Sequence, residues 1–204
     1  MKEPKAAPAK ESKASAQILE TAIELFADYG YFGTTIRDVA KKADVTAMTI
    51  YRLYNSKDGL FEVALSTVIQ QSLDQAHFLL AIFQNKEKQN SQDFIIHSVR
   101  QWYDSLPQRP ARLMMYAYLS HEEKWREMAY SRLEEIVKVL AGTLEEAIDK
   151  KVKPRPKTAV AARTLIMALF QFKITRPKMK SAREEKAAIE DILHQWLMGV
   201  VHSI

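Results

Sequence analysis

The sequence contains no cysteine and only five glycines among its 204 residues. The absence of cysteine excludes disulfides, thiolate metal sites and cysteine nucleophiles, and it is typical of a cytoplasmic chain. No apolar run approaches the ~20 residues that a membrane span needs, and the polar start of the chain lacks the apolar segment of a signal peptide. We therefore expect a cytoplasmic protein with no membrane partner.

The usual sequence signals of catalysis and of metal binding are also missing. His121-Glu122 resembles the start of a zinc-protease helix, but Trp125 stands where the second histidine is required. The histidines show no ligand spacing, and the chain has no glycine-rich phosphate loop and no nucleophile elbow. The sequence thus predicts a protein that is not an enzyme and that holds no metal and no cofactor.

Charge alone does not indicate a partner. The net charge is +5, and in the N-terminal part Lys and Arg nearly balance Asp and Glu. The stretch 150–186 is strongly basic, which favours solvated loops around a buried helix over a site for an anionic effector or partner. The case for nucleic-acid binding therefore depends on which residues lie at helix ends and on exposed helix faces.

Apolar residues recur with helical spacing, and no segment keeps strand alternation for long. The pattern predicts an all-α fold of about nine helices. It divides into a disordered basic tail over 1–14, a helix-turn-helix domain over 15–56 and a second helical domain over 57–204, whose first helix links the two. The first helix is predicted from Ser15 to Tyr29, and its apolar face comprises Ile18, Ala22, Leu25, Phe26 and Tyr29.

Turn and capping residues mark where the helices begin and end. Gly30 ends the first helix, and Thr34 or Thr35 caps the second. Thr46 caps a third helix of only one to two turns, which presents Thr, Met, Tyr and Arg outward. A helix this short is built to contact something, and the DNA major groove is the obvious partner.

Two later helix starts carry the pattern of a capping box. Ser120 with Glu123 predicts one such start, and Ser181 with Glu184 predicts the start of the last helix. The rest of the chain after the fourth helix is also predicted to be helical, with short polar or proline-containing loops between the helices.

Lys57 lies in the first turn of the fourth predicted helix. A cation there opposes the helix dipole by ~0.3–1 kcal/mol. A DNA phosphate beside it would reverse that sign, because the backbone N–H groups and Lys57 would then both face an anion. The alternative is a solvated lysine whose charge Asp58 partly offsets.

Residues 16–65 resemble the DNA-binding part of the TetR family of bacterial repressors. The pattern that carries the resemblance is Leu25-Phe26, Gly30-Tyr31, Thr34-Thr35, Val39-Ala40, Ala43, Val45, Ile50-Tyr51, Tyr54, Ser56-Lys57 and Leu60-Phe61. Asp44 replaces a usual glycine in the turn, so the turn requires an aspartate in the left-handed conformation. Leu53 stands where Tyr or His is frequent.

The resemblance implies a double-stranded DNA partner, with Thr35 and Lys57 on phosphates. The residues placed at the DNA are Thr35, Arg37, Thr46, Ala47, Met48, Thr49, Tyr51, Leu53 and Lys57. Two of them have alternative roles within the protein. Tyr51 would also serve as a half-buried staple between helices, and Arg37 would also pair with Asp38 or Asp28.

The resemblance further implies a repressor that a small-molecule effector releases from a palindromic operator. Large adaptable side chains suited to an effector pocket are His97, Trp102, Met115, Tyr118, Trp125, Phe170 and Gln171. Ordinary core packing is the alternative for each of them. The rival function is a DNA-binding protein of the same fold without an effector, such as a nucleoid or division factor.

The last two predicted helices are rich in apolar residues, and the resemblance implies that they form a four-helix interface between two copies of the chain. The residues assigned to this homodimer interface are Leu165, Leu169, Ile189, Leu193, Trp196 and Leu197. The alternative is that these apolar faces pack on the chain's own core.

Overall fold

The computed structural model describes residues 9–83, 92–147, 157–175 and 181–202. Within these ranges the chain is all-α, as predicted. Nine helices succeed one another: α1 (Ala9–Tyr29), α2 (Ile36–Lys42), α3 (Ala47–Tyr54), α4 (Lys57–Phe83), α5 (Gln92–Ser105), α6 (Gln108–Tyr118), α7 (Glu123–Ala147), α8 (Thr158–Thr175) and α9 (Ala182–His202). The predicted tail over 1–14 is described only from Ala9, and that part is helical because α1 begins there.

The first three helices pack on one another and on the start of α4. Their shared core includes Ile18, Phe26, Val39 and Ile50, all nearly inaccessible to solvent. Tyr29, predicted on the same buried face, is instead exposed. It is the last residue of α1, and the chain turns away directly after it at Gly30, whose φ is +72°.

Helix α4 joins the two halves of the fold, because it packs against α1, α3, α5, α6 and α7. In the second half α6, α7 and α8 pack in succession, and α9 lies against α5 and α8. One continuous hydrophobic core extends through both halves. The second half therefore contacts the first three helices through α4, which packs on α1 and α3, and through α6, which packs on α1.

Capping in the structure agrees with the prediction at most helix starts. Thr35 caps α2, whereas Thr34 is buried and its hydroxyl donates to the carbonyl of Gly30 at 2.9 Å. Ser181 accepts the backbone N–H of Glu184 at the start of α9, at 3.2 Å. The box predicted at Ser120 differs. Its hydroxyl accepts the N–H of the second residue after it, at 3.0 Å, so it caps the turn that precedes α7.

None of the helices in the described ranges combines the length and the apolarity that crossing a bilayer requires. Among the same residues no group of three His, Asp or Glu side chains is placed to hold a metal ion.

Candidate nucleic-acid interface

Helix α3 is held firmly at both ends. At its start the Thr46 hydroxyl accepts the backbone N–H of Thr49 at 3.2 Å, and the two hydroxyls lie 2.9 Å apart. Along its inner face Ile50 and Tyr54 are buried, as predicted. The Tyr54 hydroxyl reaches α1, where it lies 2.9 Å from the hydroxyl of Ser15. The orientation of α3 is therefore set by α1 and by the shared core rather than by the length of α3.

The turn before α3 depends on an aspartate in a conformation that most side chains avoid. Asp44 has a φ of +52°, which confirms the conformation predicted for it. The N–H of Val45 then bonds back to the carbonyl of Ala40 at 3.0 Å. This tight turn positions α3 directly after α2, in the helix-turn-helix arrangement.

The outer face of α3 carries side chains that the rest of the protein leaves uncovered. Met48 is 74% exposed and Tyr51 is 47% exposed. Ala47, Thr49 and Leu53 are half-buried at the margins of this face. The exposure of Tyr51 favours its predicted contact with DNA over a role as a staple between helices.

A second exposed group lies at the start of α2. The Thr35 hydroxyl accepts the N–H of Asp38 at 3.2 Å, and the Asp38 carboxylate accepts the N–H of Thr35 at 3.0 Å, which completes a capping box. The Thr35 hydroxyl also donates to the Asp38 carboxylate at 2.6 Å, and this bond, together with the one from the N–H of Thr35, holds the pKa of Asp38 below its usual value. Arg37, next to Thr35, is exposed. Its two suggested acidic partners are engaged elsewhere, Asp38 with Thr35 and Asp28 with Arg109 and Arg112.

Lys57, at the start of α4, lies over the ring of Tyr31, with its Nζ 4.0 Å from the ring centre. Partial burial lowers the pKa of Lys57. The Tyr31 hydroxyl donates to the carboxylate of Asp58, and partial burial together with this bond raises the pKa of Tyr31 to about 12. Asp58 therefore holds Tyr31, and Tyr31 in turn holds Lys57 in place.

Tyr31 is a site residue that the sequence did not single out, although it belongs to the recognised Gly30-Tyr31 pair. Its ring also contacts the second half of the protein, because it lies 4.7 Å from the ring of Trp125 on α7. Trp125 packs in turn on Phe61 of α4, with ring centres 4.4 Å apart. The predicted phosphate contact, Lys57, is thus joined to α7 through two aromatic rings.

Ion pairs bind α6 to α1 beside this aromatic cluster. Arg109 contacts Glu24 at 2.7 Å and Asp28 at 3.0 Å. Arg112 contacts Asp28 at 3.3 Å and also reaches the carbonyl of Ile174 near the end of α8. We refer to Arg109, Arg112, Glu24 and Asp28 as the α1–α6 clamp. The sequence did not single out these four residues as partners, because the members of each pair are far apart along the chain.

Comparisons with known proteins agree with this geometry. Residues 18–64 match the family model described as bacterial regulatory proteins of the tetR family. The chain is 42% identical over 50 residues to an uncharacterized HTH-type transcriptional regulator, YvkB, of Bacillus subtilis, covering 24% of this chain and 26% of YvkB. It is 23% identical over 184 residues to IcaR of Staphylococcus aureus, the negative transcriptional regulator of the biofilm operon icaADBC, covering 89% of this chain and 95% of IcaR.

The same fold occurs in a solved structure, the transcriptional regulator FadR of Bacillus subtilis in complex with stearoyl-CoA. The TM-score is 0.66 at 17% identity, and the match covers 93% of this chain and 98% of FadR. The match over α1 to α4 places the candidate interface in a known class of DNA-binding domain. Residues 18–64 therefore form a DNA-binding domain of the tetR family of bacterial regulatory proteins. The proteins that the chain resembles are transcriptional regulators and not enzymes.

The seven residues predicted for an effector pocket do not form one cluster. Trp102 and Phe170 lie together inside the second half, with ring centres 6.0 Å apart. Trp125 lies apart from this pair, at the junction of α7 with the DNA-binding half, beside Tyr31. His97 and Gln171 are exposed, because they lie on the outer faces of α5 and α8.

The two remaining pocket residues are on α6. Met115 and Tyr118 are half-buried, and Tyr118 stacks on Tyr130 of α7 with ring centres 6.2 Å apart. The structure therefore brings Trp102 and Phe170 together and distributes the other predicted pocket residues over the junction and the surface.

Four of the six residues predicted for a dimer interface are covered by their own chain. Leu165, Leu169, Ile189 and Leu193 are at most 1% exposed. Trp196 is half-buried, and its Nε1 donates to the carbonyl of Ala161 at 2.9 Å, which ties α9 to α8. For the four buried residues this corrects the prediction, because side chains in the protomer's own core are not available to a second chain. The side chain of Leu197 lies outside those that the structure describes.

Replacing Lys57 by Ala is expected to weaken DNA binding for all sequences alike. A lysine that neutralises one phosphate releases about one counterion, so the slope of log Kd against log salt should fall by about one unit for each bound protomer. Fluorescence anisotropy over a series of salt concentrations measures the slope. Lys138→Ala, which removes an exposed lysine on α7, is the control and should leave it unchanged. An unaltered slope in a folded Lys57→Ala protein would refute the phosphate contact.

Proposed function

We propose that this protein is a dimeric repressor that binds a palindromic operator and leaves it when a small-molecule effector binds the second half of the chain. The observation that carries the DNA-binding part is the uncovered outer face of α3, on which Met48 and Tyr51 are exposed. The similarity to IcaR, a negative regulator, extends over most of both chains and favours repression over activation.

Two buried polar atoms support an effector site between α5 and α8. The hydroxyl of Ser98 and the indole Nε1 of Trp102 are buried without a hydrogen-bond partner among the residues that the structure describes. They lie one turn apart on α5, and the ring of Trp102 packs on Phe170 of α8. A buried donor without a partner is costly, so a ligand with an acceptor near Trp102 would be stabilising there. FadR, which shares the fold, is known in complex with stearoyl-CoA.

These polar atoms also favour the effector-responsive repressor over the rival without an effector. A second half that served only as packing would be expected to satisfy or to avoid such groups. Trp102, one turn from Ser98, packs instead on α8. The same helix contacts the α1–α6 clamp, because the carbonyl of Ile174 accepts a hydrogen bond from Arg112. A ligand at this place would act on both α8 and the clamp.

The coupling that we propose is carried by α6 and α7. A ligand that separates α5 from α8 shifts the end of α8, where Arg112 binds the carbonyl of Ile174. Arg112 and Arg109 transmit the shift to α1 through Asp28 and Glu24. The ring of Trp125 transmits a shift of α7 to Tyr31 and so to Lys57. The effector then lowers operator affinity by its preference for the shifted state.

We propose that the dimer forms through the outward faces of α8 and α9 rather than through their buried faces. On α8 the exposed residues are Ala159, Val160, Thr164, Ala168 and Gln171. On α9 Met198 is an exposed large apolar side chain. Small and apolar side chains let two helices approach a symmetry mate closely, and a two-fold dimer places two α3 helices on one palindrome.

The function is tested by selecting genomic DNA fragments on the purified protein and measuring the affinity of the recovered sequences by anisotropy. We expect a palindromic site bound by a dimer, with an affinity well above that for unrelated DNA. Small molecules that stabilise the protein in a thermal-shift screen are then added to the complex. Recovery of no specific sequence would refute the regulator. Effector release would be refuted if no stabilising ligand reduced operator affinity and if Trp102→Phe changed no ligand affinity.

The α1–α6 clamp leads to a prediction that needs no effector. The double substitution of Arg109 and Arg112 by Ala removes the ion pairs between α1 and α6 and leaves only the packing of the two helices. DNA binding must then order the two halves more fully relative to each other. We expect operator affinity to fall about fivefold, at the low end of typical coupling. Stability should change little, because exposed ion pairs contribute at most about 1 kcal/mol each.

The control for the clamp is Arg132→Ala, which removes an exposed ion pair between Arg132 and Glu135, both on α7. It should leave operator affinity at the wild-type value. Asp28→Asn should lower affinity in the wild-type background and have no further effect in the double variant. Additive effects would show that the clamp does not act as one unit.

A further inference from the structure

Met48 is the large exposed side chain in the first turn of α3. It is the second residue of the helix and is 74% exposed. Its neighbours in that turn are either bonded or partly covered. Thr46 and Thr49 bond each other, and Ala47 is half-buried. The thioether chain therefore extends from the leading end of α3 with most of its apolar surface in water.

The chemistry of the major groove offers one apolar group to such a side chain. Base edges there present donors and acceptors, and the C5 methyl of thymine is the exception. Methionine is unbranched and flexible, so it adapts its shape to a methyl group without a fixed rotamer. Covering both groups at once removes apolar surface of each from water.

We infer that Met48 reads the methyl group of a thymine in each half of the operator, so that it is a specificity-determining residue. This rests on the proposed function, because it requires α3 to lie in the major groove. The position of Met48 in the first turn places this thymine opposite the leading end of α3. Tyr51 and Arg52, about one turn further along, face other positions of the half-site.

The test replaces each thymine of the selected operator by deoxyuridine, symmetrically in both half-sites, and measures Kd by anisotropy. Deoxyuridine lacks only the methyl group. We expect one thymine position at which its removal raises Kd about fourfold per half-site, the effect of burying one methyl-sized group, and roughly fifteenfold for the pair. At that position 5-methylcytosine, paired with guanine, should bind more tightly than cytosine by a similar factor.

Variants assign the effect to the side chain. Met48→Ala should fold normally, because the position is exposed and alanine favours the helix. This variant should bind the dT and dU operators equally well. Leu119→Ala, which shortens another exposed apolar side chain after α6, should preserve the discrimination. If Met48→Ala retained the discrimination, or if no position distinguished dT from dU in the wild type, the inference would be overturned while the repressor function stood. If no specific DNA were bound at all, the proposed function would fail with it.

Discussion

Replacing Gly59 by Ala is expected to lower operator affinity by more than tenfold. Gly59 is the third residue of α4, and a Cβ built there would lie 2.1 Å from the carbonyl oxygen of Tyr54, the last residue of α3. The obstacle is backbone, which no rotamer change relieves. The end of α3 must therefore move away from α4. Overpacking of this kind costs about 1–3 kcal/mol, and a misplaced α3 that no longer reaches a base weakens binding by a similar amount for each such base.

The matched control is Gly142→Ala on α7, where, apart from the adjoining residues and the backbone of the same helix, no atom of the described residues lies within 4 Å of the added Cβ. Alanine in the interior of a helix is more favourable than glycine by about 0.5–1 kcal/mol, so this variant should unfold at a slightly higher temperature and bind the operator as the wild type does. Thermal unfolding and anisotropy measure both effects. A Gly59→Ala protein with wild-type affinity would show that α3 does not depend on its close approach to α4.

The second large effect comes from a pair of substitutions, one in the core of the protomer and one on the proposed dimer face. Leu193→Glu is expected to prevent folding, because Leu193 is 1% exposed and a carboxylate there would be buried without a partner. Ala168→Glu is expected to leave the protomer folded, since Ala168 is exposed on α8. In a dimer formed through α8 and α9, the new glutamate would lie in the interface, so the dimer should dissociate.

A monomer of Ala168→Glu presents one α3 at a time to a palindrome. Its operator affinity should be lower by roughly a hundredfold or more, because the second half-site no longer binds intramolecularly. Circular dichroism reports folding, and sedimentation velocity reports the oligomeric state. A folded Ala168→Glu dimer with wild-type affinity would place the interface elsewhere. A folded Leu193→Glu protein would contradict the burial of Leu193 in the protomer.

The DNA-binding half was largely predictable from the sequence because its signals are local. A capping threonine and the helix it starts lie within a few residues of each other, as at Thr46 and α3. The left-handed conformation of Asp44 was predicted because the resemblance places Asp44 where a glycine is usual in the turn, and it is present. The inward positions of Ile50 and Tyr54 follow from helical spacing, which is a property of the chain before it folds.

The faces of α8 required the tertiary structure. The apolar residues of α8 are distributed around its whole circumference, so helical spacing does not indicate which side packs on the protomer's own core. The sequence assigned Leu165 and Leu169 to a partner chain, and the structure buries both against the rest of the protomer. Only the positions of the neighbouring helices decide which side stays exposed.

The sequence by itself determined the helical class, the helix-turn-helix and the face of α3 that is free to enter a groove, because these depend on spacing and capping over a few residues. The tertiary structure alone decided the partners of Arg109 and Arg112, the support of Lys57 by Tyr31 and the place of Trp125 at the junction. Each of these contacts joins residues far apart in the chain or groups with several possible partners. No local pattern selects among such partners, because packing of the whole core brings them together.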